Sequence, residues 1–140
     1  MSERNFHLRS RVEYGQPDNA IVSLIVQKKV EGEWQDFVLN TLTPGFEIFV
    51  YAMFTCQHTY FRVNCAEQGL KLVRAEGDIS LGTDADWNLE RIDVSLRASL
   101  AEGQASTETI DYIVGRMGQC PVSRNTREVE ATRIEISFDL

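Results

Sequence analysis

No glycine or proline interrupts the 23 residues from Phe46 to Gln68, FEIFVYAMFTCQHTYFRVNCAEQ. This stretch constrains the fold more than any other. Thr43 is a capping type, Pro44 fits the first helical position where its missing N–H costs nothing, and Gly69 is a natural exit residue. The spacing predicts one helix about 34 Å long. Its aromatic and β-branched residues would also suit a strand, so the helix assignment rests on length and on the flanking residues. The first half is apolar nearly all round: Phe46, Ile48, Phe49, Val50, Tyr51, Ala52, Met53 and Phe54. A helix on a solvated surface carries a polar stripe there. Either this helix runs through the middle of the fold, or one of its faces meets a second subunit.

The segments on either side alternate with period two. Phe6, Leu8, Ser10 and Val12 share one parity, while Asn5, His7, Arg9 and Arg11 share the other. Ala20 to Val30 is rich in Val and Ile, and Glu31-Gly32-Glu33 reads as a hairpin turn into Trp34 to Leu39. After the long helix, Leu70 to Leu81 and Leu89 to Leu100 read as strands. Ser106 caps a second helix, with Ile110, Ile113, Val114 and Met117 on one face and Gly118 at its end. A last strand spans about Glu130 to Leu140. The order is βββ-α-ββ-α-β, an α+β fold without repeated βαβ units. A chain of 140 residues with 43% hydrophobic residues suits one domain over residues 1–140.

Charge narrows the partners. The formal net charge is −7, and only 3 of the 14 basic residues are lysine. That argues against nucleic acid and favours fixed arginine forks over a diffuse cationic coat. No run of 18 apolar residues is present, so no membrane span is expected. The polar start MSERNFHLRS lacks an apolar core of the signal type, which makes the cytoplasm the expected compartment.

Candidate chemistry falls on the cysteines. His7 and His58 lie on different elements and belong to no metal-ligand spacing. No phosphate loop or serine elbow occurs. The three cysteines are Cys56 and Cys65 in the long helix and Cys120 just past the second helix. A buried cysteine by itself behaves as a small hydrophobe. Cys120 differs because it precedes Pro121, at a position to cap a following turn whose free N–H groups favour thiolate. Arg116, Arg124 and Arg127 are close to it in sequence. Cys65 is nine residues from Cys56, about 13.5 Å along a helix. It therefore reads as a non-catalytic thiol.

Three stretches together resemble the OsmC/Ohr family of small bacterial peroxide-handling proteins. They are Ala52-Met53-Phe54-Thr55-Cys56; Ala66-Glu67-Gln68-Gly69-Leu70 with Glu76-Gly77-Asp78; and Cys120-Pro121-Val122-Ser123. The 64-residue separation of Cys56 and Cys120 is also family-like, and the similarity covers roughly residues 43 to 139. The resemblance implies an intertwined homodimer with active sites at the subunit interface. It implies a peroxidase in which Cys56 attacks an organic hydroperoxide and Cys120 resolves the sulfenic acid as a disulfide. A dithiol reductant of the lipoyl type would restore the thiols, with no metal or flavin cofactor.

The family also pairs an N-terminal arginine with a glutamate near the start of the long helix. Here Glu47 lies nine residues before Cys56, one position nearer than usual, and the glycine-rich arginine motif is missing. Arg9 and Arg11 are the arginine candidates by location. A second reading keeps the fold without peroxidase activity. It has an apolar or electrophilic small molecule bound at the dimer interface against Phe46, Phe49, Tyr51 and Phe54. A third is a purely structural or interaction protein.

Overall fold

The computed structural model describes residues 4–125 and 131–139. Arg127, and the expected strand ends at Glu130 and Leu140, lie outside these residues. The elements are β1 (Arg4–Gly15), β2 (Ala20–Val30), β3 (Glu33–Asp36), α1 (Gly45–Glu67), β4 (Leu72–Thr83), β5 (Leu89–Leu100), α2 (Thr107–Met117), α3 (Pro121–Arg124) and β6 (Ala131–Phe138). The α+β order is the expected one, with the single turn of α3 added after α2.

Local chemistry explains the boundaries. Glu31 and Gly32 both have positive φ, 50° and 83°, as a two-residue hairpin turn between twisted strands requires. Ser106 caps α2 by accepting the Thr109 N–H at 3.1 Å. The capping expectation for Thr43 needs correction. Its hydroxyl serves the preceding turn, accepting from the Asn40 N–H and donating to the Val38 carbonyl. Pro44 stands at the cap position of α1 without any side-chain cap.

All six strands join one sheet in the order β3-β2-β1-β4-β5-β6. Its pairs are antiparallel except β5 with β6, which run parallel and are joined by the α2–α3 crossover. Period-two alternation splits the sheet into two faces. Leu8 and Val12 of β1, Ala75, Ile79 and Leu81 of β4, and Ile92, Val94 and Leu96 of β5 are buried on one face. Val50, Met53, Phe54, Phe61 and Cys65 of α1 join them in one core. The opposite face carries charge: Arg9, Arg11, Glu76, Asp78 and Arg97 line an open concavity there.

Gly77 sets how closely α1 approaches. A Cβ at this position would stand 2.6 Å from Ser10 Oγ and 2.8 Å from both Leu96 Cδ2 and Phe54 Cζ. Glycine lets the Phe54 ring lie directly on the sheet. One flank is left uncovered, because Leu24 of β2 pairs with the buried Val12 and yet is 43% exposed. Ile48 and Val63 of α1 and Val38, Leu39 and Leu42 of the β3–α1 connection are exposed as well.

Candidate active site

The chain leaves α2 at Gly118 and turns at once into α3. Pro121 occupies the first turn of α3, and Cys120 is its N-cap. The Cys120 sulfur accepts the Ser123 backbone N–H at 3.3 Å, and its thiol donates to Ser123 Oγ at 3.0 Å. The cap expected from the Cys-Pro sequence is therefore formed.

α3 packs on the middle of α1. There the Cys56 thiol lies near enough to Cys120 and to the Val122 backbone for both to shift its ionisation. Cys120 is fully buried, whereas Cys56 is partly exposed. Burial, followed by the hydrogen bond with Cys120, pushes the Cys56 thiol up from its ordinary range; the Val122 N–H acts in the opposite direction. Among the described residues no cation offsets that burial at Cys56. Cys56 is thus held toward its neutral form, with Cys120 beside it.

Next to the pair is a buried polar cluster. The Gln57 Nε2 amide donates to Ser123 Oγ, so Gln57, Ser123 and Cys120 form a continuous hydrogen-bonded chain beside Cys56. Gln57 is 1% exposed. Its Oε1 is buried without a hydrogen-bond partner among the described residues.

The other expected residues lie elsewhere. Cys65 is in the core, and burial pushes its thiol up to about 12. Glu47 pairs with Lys28 of β2 at 2.9 Å. Nine residues of helix are about 2.5 turns, so Glu47 and Cys56 project from opposite sides of α1. Arg9 and Arg11 have the parity of the charged sheet face, away from α1. Arg9 stacks on the Trp34 ring at 4.1 Å and donates to Gln27, while Arg11 stands 3.9 Å from Glu76. The expected grouping of Arg9 or Arg11 with Glu47 around Cys56 is not formed within the chain. Strand parity and helix rotation are the reasons.

The aromatic residues expected to line an interface pocket make ring contacts within the chain. Phe46 meets Phe6, Phe49 and Trp87, and Tyr51 stacks on Phe37. Tyr51, Phe54 and His58 are among the residues that line a cleft of about 20 Å³, room for about one water. The Tyr14 hydroxyl and His58 Nε2 are hydrogen-bonded at 2.7 Å. Burial, then the nearby Arg62 charge, pulls His58 down to about 4. Among the described residues no group of three His, Cys, Asp or Glu is placed to hold a metal ion. No helix there is long and apolar enough to cross a membrane.

No family model and no curated protein matches the chain by sequence. Solved structures do match its shape. An OsmC-like hydroperoxide resistance protein from Jannaschia sp. CCS1 superposes with a TM-score of 0.57 at 9% identity, over 91% of this chain and 89% of that one. An OsmC-like protein from Mycoplasma pneumoniae gives a TM-score of 0.53 at 10% identity, over 94% of both chains. The fold is OsmC-like.

In this OsmC-like chain, reading the sequence missed Gln57 as a site residue. The signal was available: Gln57 lies four residues from both Met53 and Phe61, on the apolar face of α1, where a leucine would pack without an unpaired amide. Ser123 was visible only as the last member of the Cys120 motif. Its contact with Gln57 joins residues 66 apart in sequence and has no local signature.

Proposed function

We propose that the chain is a thiol-dependent reductant of organic hydroperoxides, with Cys56 as the attacking thiol and Cys120 as the resolving thiol. The placement of Cys56 on α1 beside the Cys120-capped turn of α3, near enough for Cys120 to raise the Cys56 thiol, carries this reading. The OsmC-like fold agrees with it, as does the description of the Jannaschia neighbour as a hydroperoxide resistance protein. Cys56, as thiolate, attacks the terminal peroxide oxygen. The O–O bond breaks, the alcohol leaves after taking a proton, and Cys56 becomes a sulfenic acid. Cys120 then attacks that sulfur. Its proton and the sulfenic hydroxyl leave as water, and a disulfide remains. A dithiol reduces the disulfide and is itself oxidised to a disulfide.

The site works in a homodimer on this reading. The outward face of α1, with Ile48, Ala52, Thr55, Thr59 and Val63, carries no charged side chain and meets a second copy together with the uncovered flank of β2. Because burial holds Cys56 neutral, its oxidation accelerates with pH, at close to tenfold per unit while the thiol remains mostly protonated.

The test is peptide mapping by mass spectrometry after one equivalent of cumene hydroperoxide. The expected product is a Cys56–Cys120 disulfide. Cys120→Ser should stop at the Cys56 sulfenic acid, and Cys56→Ser should not consume peroxide. Two free thiols after prolonged exposure would remove the reading.

A further inference from the structure

Reduction of a Cys56–Cys120 disulfide needs an entering thiolate to reach one sulfur while the other leaves. The structure makes the two sulfurs unequal. Cys120 is 0% exposed and covered by its own turn, whereas Cys56 is partly open. Entry is therefore at Cys56, and Cys120 is the leaving group. A leaving thiolate departs faster when it is stabilised. Among the described residues, the Cys120 sulfur is hydrogen-bonded to the Ser123 backbone N–H and to Ser123 Oγ.

We infer that Ser123 is the residue that receives the Cys120 thiolate during reduction, and that Gln57 is a positioning residue that holds the Ser123 hydroxyl for this role. The inference rests on the proposed Cys56/Cys120 redox pair and deepens it. In the dithiol form the Cys120 thiol donates to Ser123 Oγ. A hydroxyl both donates and accepts. When Cys120 leaves as thiolate, the Ser123 O–H turns onto the sulfur while its oxygen keeps the hydrogen bond from Gln57 Nε2. That bond polarises the hydroxyl and strengthens it as a donor. Gln57 is an unusual residue for a packed helix face. Its amide is almost wholly buried and its Oε1 goes unpartnered among the described residues, a cost that packing alone does not require.

The reductive sequence balances. The dithiol's thiolate attacks Cys56 Sγ, and a new S–S bond forms to it. The Cys56–Cys120 bond breaks with its electron pair going to Cys120 Sγ. The proton released by the entering thiol returns to Cys120. The second thiol of the reductant then attacks its own sulfur in the mixed disulfide. This frees Cys56 as a thiol and releases the oxidised dithiol.

The test forms the disulfide with diamide, so it runs whether or not hydroperoxide oxidises Cys56. Stopped-flow reduction by dithiothreitol is compared for wild type, Ser123→Ala, Ser123→Thr, Gln57→Leu and the Ser123→Ala/Gln57→Leu double variant. Loss of a hydrogen bond to a charged group predicts reduction about 10-fold slower for Ser123→Ala. Gln57→Leu should be several-fold slower with its melting temperature unchanged or raised, a pairing that a merely structural role would not give. The double variant should be no slower than Ser123→Ala, and Ser123→Thr should recover most of the rate. Trapping with 2-mercaptoethanol should place the mixed disulfide on Cys56, in smaller equilibrium amount in Ser123→Ala. Rates within 2-fold of wild type for both single variants, or a mixed disulfide on Cys120, would overturn the inference and leave the redox pair standing. No disulfide formed by diamide would remove the redox pair itself, and this inference with it.

Discussion

Gly77→Ala is a sharp probe of how α1 is seated. The added Cβ would lie 2.8 Å from Leu96 Cδ2 and from Phe54 Cζ, and 2.6 Å from Ser10 Oγ. Carbon atoms in good contact stand about 3.5–4.0 Å apart, so the first two contacts are short by about 0.7 Å. Neither neighbour can yield cheaply, since Phe54 and Leu96 are 4% and 2% exposed in a filled core. Overpacking of this kind costs about 1–3 kcal/mol. The reduced freedom of the unfolded chain returns about 0.4–1 kcal/mol. The net expectation is a loss of about 1–2 kcal/mol, or about 3–7 °C in melting temperature for a chain of this size. Thermal unfolding followed by circular dichroism measures it. A double-mutant cycle with Phe54→Leu should give a coupling of at least about 0.5 kcal/mol, because the smaller side chain makes room for the methyl. The strain also reaches the site. Phe54 is two residues before Cys56, so lifting its ring should slow diamide closure of the Cys56–Cys120 disulfide. A Gly77→Ala variant as stable as wild type, with no coupling to Phe54, would refute this account of the helix–sheet contact.

Other expectations are as direct. His58 is held at about 4 by burial and by Arg62, against 6.5 when free. The unfolded chain therefore takes up a proton below pH 6.5 before the folded chain does, and stability is lost as pH falls from 6.5 toward 4. At about 1.4 kcal/mol per pH unit the loss approaches 3 kcal/mol, and urea unfolding of wild type and His58→Gln across that range should show the slope only in wild type. Cys65→Ala should leave hydroperoxide turnover within a few-fold, because a buried thiol pushed up to about 12 is inert at neutral pH; complete loss of turnover in a folded variant would contradict its placement outside the site. Sedimentation at micromolar concentration should give a dimer, with an interface above about 2,000 Å², and Val63→Glu should shift it toward monomer; a monomeric wild type would oppose the α1 interface.

Regular periodicity made much of this fold readable from the residues. The breaker-free run after Pro44 specified α1, and period-two alternation in Leu89 to Leu100 specified β5 residue for residue. Cys120-Pro121 carried its own local instruction: proline cannot donate at the first helical position, and a side chain before it can cap the turn. Its thiol is the N-cap of α3. These signals were legible because each acts within a few residues. The site was only half legible, because its other determinants are long-range. Cys56 and Cys120, 64 residues apart in sequence, come near each other only because α3 packs on α1. Arg9 and Arg11 sit in a strand whose parity the sequence displayed, yet which parity faces α1 depends on the whole sheet. Glu47 was near Cys56 in sequence and is turned half a helix away from it. Gln57 and Ser123 acquire meaning only when α3 docks, since a hydrogen bond between residues so far apart is fixed by packing rather than by local propensity. The sequence by itself determined the elements and named the thiols; tertiary packing decided which side chains surround them.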